Sequence, residues 1–331
     1  MLSTELTRTF GLKHPIVSAP MANWSGGVLA GAVSAGGGLG MIGVGSATPE
    51  DWIAEQANLA RPHGPFGIGL LIWALESRPE LLDAVLGAQP SAVSVHAGNP
   101  TPYVAHIKEA GTKVFCQVNN GNSAERASEA GADFLVAQGT DAGGHTGSVG
   151  TMPLLQRVLE VGEVSGLPVL AAGGLATGRA VAGVLAMGAA GAWVGTRFCA
   201  TVESTGTEDA KQCILEADET QTIHTHVFDI VQDFPWPEEF PGRAISNAFS
   251  ERWHGREEEL LAGLATTRAD FEEAQRNGDY SKVNVYAGQA VGLVRDLPSA
   301  GELVGRLSVE AEACLSERCA ALLGASLRSA R

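Results

Sequence analysis

Short apolar runs alternate with helix-forming stretches throughout residues 15–200. The runs span 15–19, 39–44, 66–72, 92–96, 113–118, 133–137, 168–172 and 192–198, and helical patterning fills 26–35, 49–60, 79–86, 102–110, 123–130, 153–161 and 177–187 between them. Strands that alternate with helices pair in parallel, and a strand covered by helices reads as a near-continuous apolar run. Eight such units predict a closed (β/α)8 (TIM) barrel over residues 1–200 rather than an open doubly wound sheet. Residues 201–331 change character: Pro235-Trp236-Pro237 sits in a polar segment, and charged helical stretches follow at 255–277 and 300–323. They predict a C-terminal, mainly helical appendage that packs on the barrel and partly covers its mouth.

Barrels of this kind do their chemistry at the C-terminal ends of the strands. The polar and glycine-rich segments of this chain follow the strands. After the sixth run comes Gln138-Gly-Thr-Asp-Ala-Gly-Gly-His-Thr-Gly147. Its glycines let the main chain approach a ligand closely, and it delivers one imidazole. His145 is therefore the candidate general base, against the plainer reading of an incidental surface histidine in a turn. Ala171-Ala-Gly-Gly174 and Trp193-Val-Gly-Thr-Arg197 end the last two strands. Loops at those places commonly hold a phosphate on unshielded backbone N–H groups, which points to a phosphate-bearing cofactor or substrate. Gly38-x-Gly40-x-x-Gly43 matches the dinucleotide fingerprint in letters only. A helix precedes it and a strand follows, the reverse of what that fingerprint needs. Ser25 and Asn23 are candidate caps for the helix that begins near residue 26.

Composition removes several classes of function. Apolar residues make up 45% and charged residues 18%, enough for a large core. The net charge of −15 argues against nucleic acid or an anionic membrane surface as partner. The five cysteines, Cys116, Cys199, Cys213, Cys314 and Cys319, form no CxxC pair, as expected of reduced thiols in a cytoplasmic protein. The first fifteen residues lack the apolar core of a secretory signal, and the uncharged run 180–196 is broken by glycines. Among the eight histidines only His224-x-His226 has ligand spacing with carboxylate support; the pair reads as loop or strand residues, and no metal is expected. His96, Asn23, Trp24 and Trp73 are candidates for the pocket rim, each with a structural alternative.

With these residues in view, the chain resembles the nitronate monooxygenases, once called 2-nitropropane dioxygenases. The resemblance rests on Pro15-Ile-Val-Ser-Ala-Pro-Met21, Gly67-Ile-Gly-Leu70, Val114-Phe-Cys-Gln-Val118, Ala137 to Gly147, Ala171-Ala-Gly-Gly174 and Val194-Gly-Thr-Arg-Phe198, in family order over residues 15–200. Arg243 to Asn247 and Tyr286 to Val294 match more loosely. The resemblance implies an FMN-dependent barrel enzyme that oxidises alkyl nitronates or nitroalkanes with O2 to a carbonyl compound and nitrite. By position it implies that Ala19, Pro20 and Met21 back the flavin and that Gln117 and Gln138 bond its ring or ribityl chain. Gly143 and Gly144 would pass close to it. Gly173, Gly174, Gly195 and Thr196 would hold its phosphate, with Trp193 and Val194 in the same turn, and His145 would be the catalytic base. Gly69 stands where the family often has Asn, and Asp141 where many members have Glu. One flavin hydrogen bond is thus missing or replaced.

Two other readings stay open from the sequence. An FMN- and NAD(P)H-dependent reductase of the enoyl-ACP or quinone type would use the same scaffold and the same Gly-Gly-His loop. A phosphate-binding isomerase or aldolase barrel would need no flavin, but a Schiff-base variant needs a strand-end lysine, and Lys113 lies at the start of its strand. A homodimer is compatible with the sequence, which does not set the oligomeric state.

Overall fold

The structure is a computed structural model that describes residues 2–322 and 324. Its strands are β1 (Ile16–Ser18), β2 (Gly40–Gly43), β3 (Phe66–Leu71), β4 (Ala92–His96), β5 (Lys113–Val118), β6 (Phe134–Gln138), β7 (Gly144–His145), β8 (Val169–Ala172), β9 (Gly191–Val194), β10 (Thr222–Thr225) and β11 (Gly242–Ile245). Eight of them form one parallel sheet in the order β1-β9-β8-β6-β5-β4-β3-β2. A parallel bridge between Val17 and Leu39 joins its two edges, so the sheet is the expected (β/α)8 barrel.

Side-chain alternation along the strands divides the core. One set, including Ile42, Ile68, Val93, Val114, Leu135 and Val169, packs outward against the helices. The other, including Val17, Met41, Phe115, Phe134, Leu170 and Trp193, fills the barrel. Phe115 stacks on Phe134 with centroids 4.7 Å apart. Phe10, at the end of the N-terminal helix Glu5–Phe10, closes the floor against both rings at 5.8 and 5.9 Å. The interior is therefore solid below and can admit a ligand only at the mouth.

Local chemistry moves several boundaries from those expected. The eighth strand stops at Val194 because Gly195, at φ −103° and ψ −87°, turns the chain into the short helix Thr196–Cys199. Ile72 leaves the third strand to begin the helix Ile72–Ser77. The 255–277 stretch is two helices, Glu257–Ala262 and Leu264–Asn277, separated at Gly263. Neither Ser25 nor Asn23 caps the helix Gly27–Ala35, whose N-cap is Gly26. The Ser25 hydroxyl instead accepts from the Met21 backbone N–H at 2.7 Å and fixes the 19–21 loop.

The appendage is not helical throughout. β10 and β11 pair antiparallel, and β11 pairs antiparallel with β7, which extends the His145 loop into a three-stranded sheet. The β-branched residues Thr222, Ile223 and Thr225 suit that ribbon. The helix Ala300–Ala313 returns to the barrel: its Ala300, Leu303, Val304, Leu307 and Ala311 are buried in the outer core layer, against helices Gly27–Ala35 and Gly178–Ala186. Leu323, the last residue of the expected 300–323 helix, lies outside the described residues. Among the described residues no helix is long and apolar enough to cross a membrane.

Candidate active site

At the mouth the axis-facing positions turn polar. β4 ends inward on Ser94 and His96, β5 on Gln117 followed by Asn119, and β6 on Gln138. Asn119 Nδ2 donates to Gln138 Oε1 at 3.0 Å and to its carbonyl at 2.9 Å. Asn119 Oδ1 accepts from His96 Nε2 at 3.2 Å. Burial pushes the His96 pKa down to about 4 despite that bond, so its imidazole is neutral at neutral pH. Gln117 makes no side-chain hydrogen bond with the described residues, which leaves its amide for a ligand.

His145 sits on β7, held in register by Gly242 across the ribbon. Its Nε2 lies 2.8 Å from Asp229 Oδ1, and the two side chains are only 7% and 5% exposed. Asp229 belongs to the helix Val227–Gln232. Tyr286 OH also donates to Oδ1, at 3.4 Å. His226 Nδ1 stands 3.5 Å from Oδ2, close enough for charge attraction, while Oδ2 has no hydrogen-bond partner among the described residues. Burial opposes ionisation of Asp229, yet the His145 hydrogen bond and the attraction of the nearby His226 outweigh it, and its pKa stays below the ordinary carboxylate value. An ionised Asp229 accepts the Nε2 proton, which places the His145 lone pair on Nδ1. Burial and the neighbouring carboxylate raise the Tyr286 hydroxyl well above its usual pKa, so it stays a donor. A Cβ on Gly242 would stand 2.8 Å from Tyr286 Cε1 and 3.2 Å from His145 Nε2, so this strand passes the pair only as glycine.

The remaining expected residues gather around the mouth in different ways. Gly173 and Gly174 both take positive φ, 105° and 73°, and a Cβ on Gly174 would meet only Asp141 Cβ, at 3.6 Å. A Cβ on Gly195 would meet Ala19 Cβ and Met21 Sδ, each at 3.7 Å, and one on Gly144 would meet nothing within 4 Å. Gly174, Gly195 and Thr196 donate their N–H groups to no backbone acceptor among the described residues. Thr196 Oγ1 accepts from Gly288 N at 2.9 Å, which leaves its own proton to donate. Open glycine positions next to uncommitted donors make a cradle that fits a phosphate on a flat cofactor. Gly143 is different: a Cβ there would strike the Ala287–Gly288 backbone at 2.7 Å. That glycine serves the packing of the 285–288 segment. Trp193 is buried in the barrel interior, tilted against Phe115 at 5.5 Å. The Val194 side chain lies in the outer layer, and its carbonyl accepts from Ala19 N at 2.8 Å. Pro20 crosses Gly69, where a Cβ would come within 2.3 Å of Pro20 Cγ, so this loop has no room for an asparagine. The Ser94 hydroxyl is the polar group beside that position, 3.0 Å from the same point.

The chain is an oxidoreductase of barrel type. It belongs to the nitronate monooxygenase family, whose family model matches residues 3–81 and 74–310. It is similar to the nitronate monooxygenase of Neurospora crassa, at 33% identity over 91% of this chain and 90% of that one. Among solved structures it is similar to FabK from Thermotoga maritima, with a TM-score of 0.83, 29% identity and coverage of 98% and 99% of the two chains. It is also similar to the nitroalkane oxidase of Streptomyces ansochromogenes, with a TM-score of 0.79, 30% identity and coverage of 96% and 99%.

Sequence reading missed Asp229, Tyr286, Trp236 and Phe240. One signal was available: Asp229 is the only charged residue in the apolar run Val227-Phe-Asp-Ile-Val231, and a lone buried acid needs a partner. Trp236 stacks on His145 with centroids 3.5 Å apart and planes within 3°. The rim candidates divide accordingly. Trp73 packs edge-on to Trp236 at 5.3 Å, and His96 contacts Trp236 and Phe240 at 6.4 and 5.4 Å. Trp24 lies over Gly206, away from that ring cluster, and Asn23 adopts φ 65° in its loop. His224 bonds Thr146 Oγ1 at 3.1 Å, and the described residues hold no cluster of metal-ligating side chains.

Proposed function

We propose that the protein binds FMN and oxidises nitronates and their parent nitroalkanes with O2, giving a carbonyl compound and nitrite. The observation that carries this reading is His145 Nε2 on an ionised, buried Asp229, with no hydrogen-bond partner for Nδ1 among the described residues. A nitroalkane carries an acidic C–H beside its nitro group, and an imidazole with an uncommitted ring nitrogen suits its removal. Asp229 fixes the tautomer and stabilises the imidazolium that forms, while Nδ1 takes the proton. Lone pairs of imidazole lie in the ring plane, so Trp236 stacked on the face leaves Nδ1 able to act.

The flavin phosphate would be held by the N–H groups of Gly174, Gly195 and Thr196 and by the Thr196 hydroxyl. Ala19, Pro20 and Met21 would back its ring, Gly143 and Gly144 would pass beside it, and Gln117, Gln138 and Ser94 would offer polar contacts. When bound, FMN supplies the electron transfer and the reaction with oxygen. The chain's share is to place the substrate, exclude water and hold the proton at His145.

His145→Ala tests the base. The variant should keep FMN and lose activity on neutral nitroalkanes by about 10²–10⁴-fold, while retaining much more of it on pre-formed nitronates. Equal losses on both would remove the assignment. Anaerobic stopped-flow on the flavin absorbance separates the rival: a response to ethyl nitronate, the deprotonated form of nitroethane, with none to NADH or NADPH supports the monooxygenase. Fast bleaching by NAD(P)H would make the chain a reductase, and a colourless protein would discard both.

A further inference from the structure

The mouth above His145 is walled by aromatic rings brought there by one segment of the appendage, residues 233–241. That segment reads Asp-Phe-Pro-Trp-Pro-Glu-Glu-Phe-Pro. Its prolines at 235, 237 and 241 restrict the backbone, so it presents Trp236 and Phe240 on a stiff support. Trp236 lies parallel to His145, Trp73 stands edge-on to Trp236 at 64°, and Phe240 stands edge-on to His96 at 61°. Trp73, Trp236 and Phe240 are only half-buried, so their rings border the opening.

Two further facts narrow what these rings can receive. The indole N–H of Trp73 is buried and has no acceptor among the described residues. A buried donor without a partner is costly, and an oxygen of an entering ligand would satisfy it. The segment also carries Asp233, Glu238 and Glu239, all exposed, and no lysine or arginine. Arg243, on the neighbouring strand, is committed: Nε donates to the Thr140 carbonyl at 2.7 Å, Nη1 to Thr222 Oγ1 at 3.3 Å and Nη2 to Thr140 Oγ1 at 3.4 Å. His96 is neutral. A substrate with a second anionic group would meet those acidic side chains, while the nearby Arg243 is committed to other partners.

Resting on the nitro-compound reading above, we propose that this mouth selects nitro compounds with a flat, uncharged aromatic substituent, packed against Trp236 and Phe240. The Trp73 N–H donates to a nitro oxygen. A substrate whose substituent ends in a carboxylate is rejected by the acidic segment.

The test is anaerobic calorimetry on the FMN-loaded full chain with (2-nitroethyl)benzene, nitroethane and 3-nitropropionate, with nitrite release measured in parallel in air. The aryl compound should bind about tenfold more tightly than nitroethane, the worth of one good aromatic contact, and 3-nitropropionate most weakly. Trp236→Leu should bring the aryl compound to the level of nitroethane. Trp73→Phe, which keeps a ring and loses the N–H, should weaken all three alike, because they share the nitro group. If 3-nitropropionate binds as tightly as the aryl compound and releases nitrite, this selectivity is wrong and the nitro-compound reading survives. An unchanged aryl-to-nitroethane ratio in Trp236→Leu overturns the selectivity in the same way. If none of the three binds and none yields nitrite, both inferences fall together.

Discussion

His145 and Asp229 meet at 2.8 Å across 84 residues of chain. The loop after the sixth barrel strand supplies the imidazole, and a helix of the appendage supplies the carboxylate. What joins them is the ribbon of β7, β11 and β10, which ties the loop to the appendage by main-chain hydrogen bonds. The site is complete only when the appendage is docked.

Asp229→Asn keeps the shape of the side chain and removes its charge. The imidazole then loses the partner that fixes its tautomer and stabilises its protonated form. Turnover of neutral nitroalkanes should fall by about 10²–10⁴-fold, with FMN content unchanged. Activity on pre-formed nitronates should fall much less. The pH profile of kcat/KM separates this from a mere packing defect, since the acidic limb, where the general base of the reaction is protonated, should move. An unmoved limb with a uniform loss would count against the pair.

His96 gives the fold a pH dependence with a definite sign. In the unfolded chain its imidazole takes up a proton near 6.5, and in the folded chain only near 4. Between those values the unfolded state binds more protons, so this contribution is full above 6.5 and is lost as the pH falls toward 4. The gap corresponds to roughly 3 kcal/mol. In urea unfolding, His96→Gln should therefore lose less stability than the parent between about pH 7 and pH 4.5. Parallel losses would show that His96 does not carry the effect.

Gly288→Ala should loosen the clasp between the 285–288 segment and the β6 loop. A Cβ there would stand 2.4 Å from the Asp141 carbonyl and 2.8 Å from Gly143 N. The same residue donates to Thr196, so two groups of the phosphate cradle would shift together. The variant should be destabilised by about 1–3 kcal/mol and should bind FMN more weakly in equilibrium dialysis. An unchanged FMN affinity with lowered stability would separate the clasp from the cradle.

The parallel barrel was legible in the sequence because its signals are local. A buried parallel strand is a short apolar run, a covering helix has a 3.6-residue period, and the connections are short. The 133–137 and 168–172 runs fall within a residue of β6 and β8. The Gly-Gly-His loop was legible for the same reason, since a turn that needs positive φ at Gly144 writes glycine at that place. Boundaries that one residue controls, such as the stop at Val194 before Gly195, were not.

By itself the sequence determined the barrel, the glycine-rich loop that carries His145 after the sixth strand, and the family. Only the tertiary structure decided that Asp229 holds that imidazole, that Tyr286 shares the carboxylate and that Trp236 covers the ring. Those pairings lie 84, 57 and 91 residues apart along the chain. No periodicity records them. They arise because β11 adds to β7 in one register, and a strand pairing fixes in space what sequence distance leaves free.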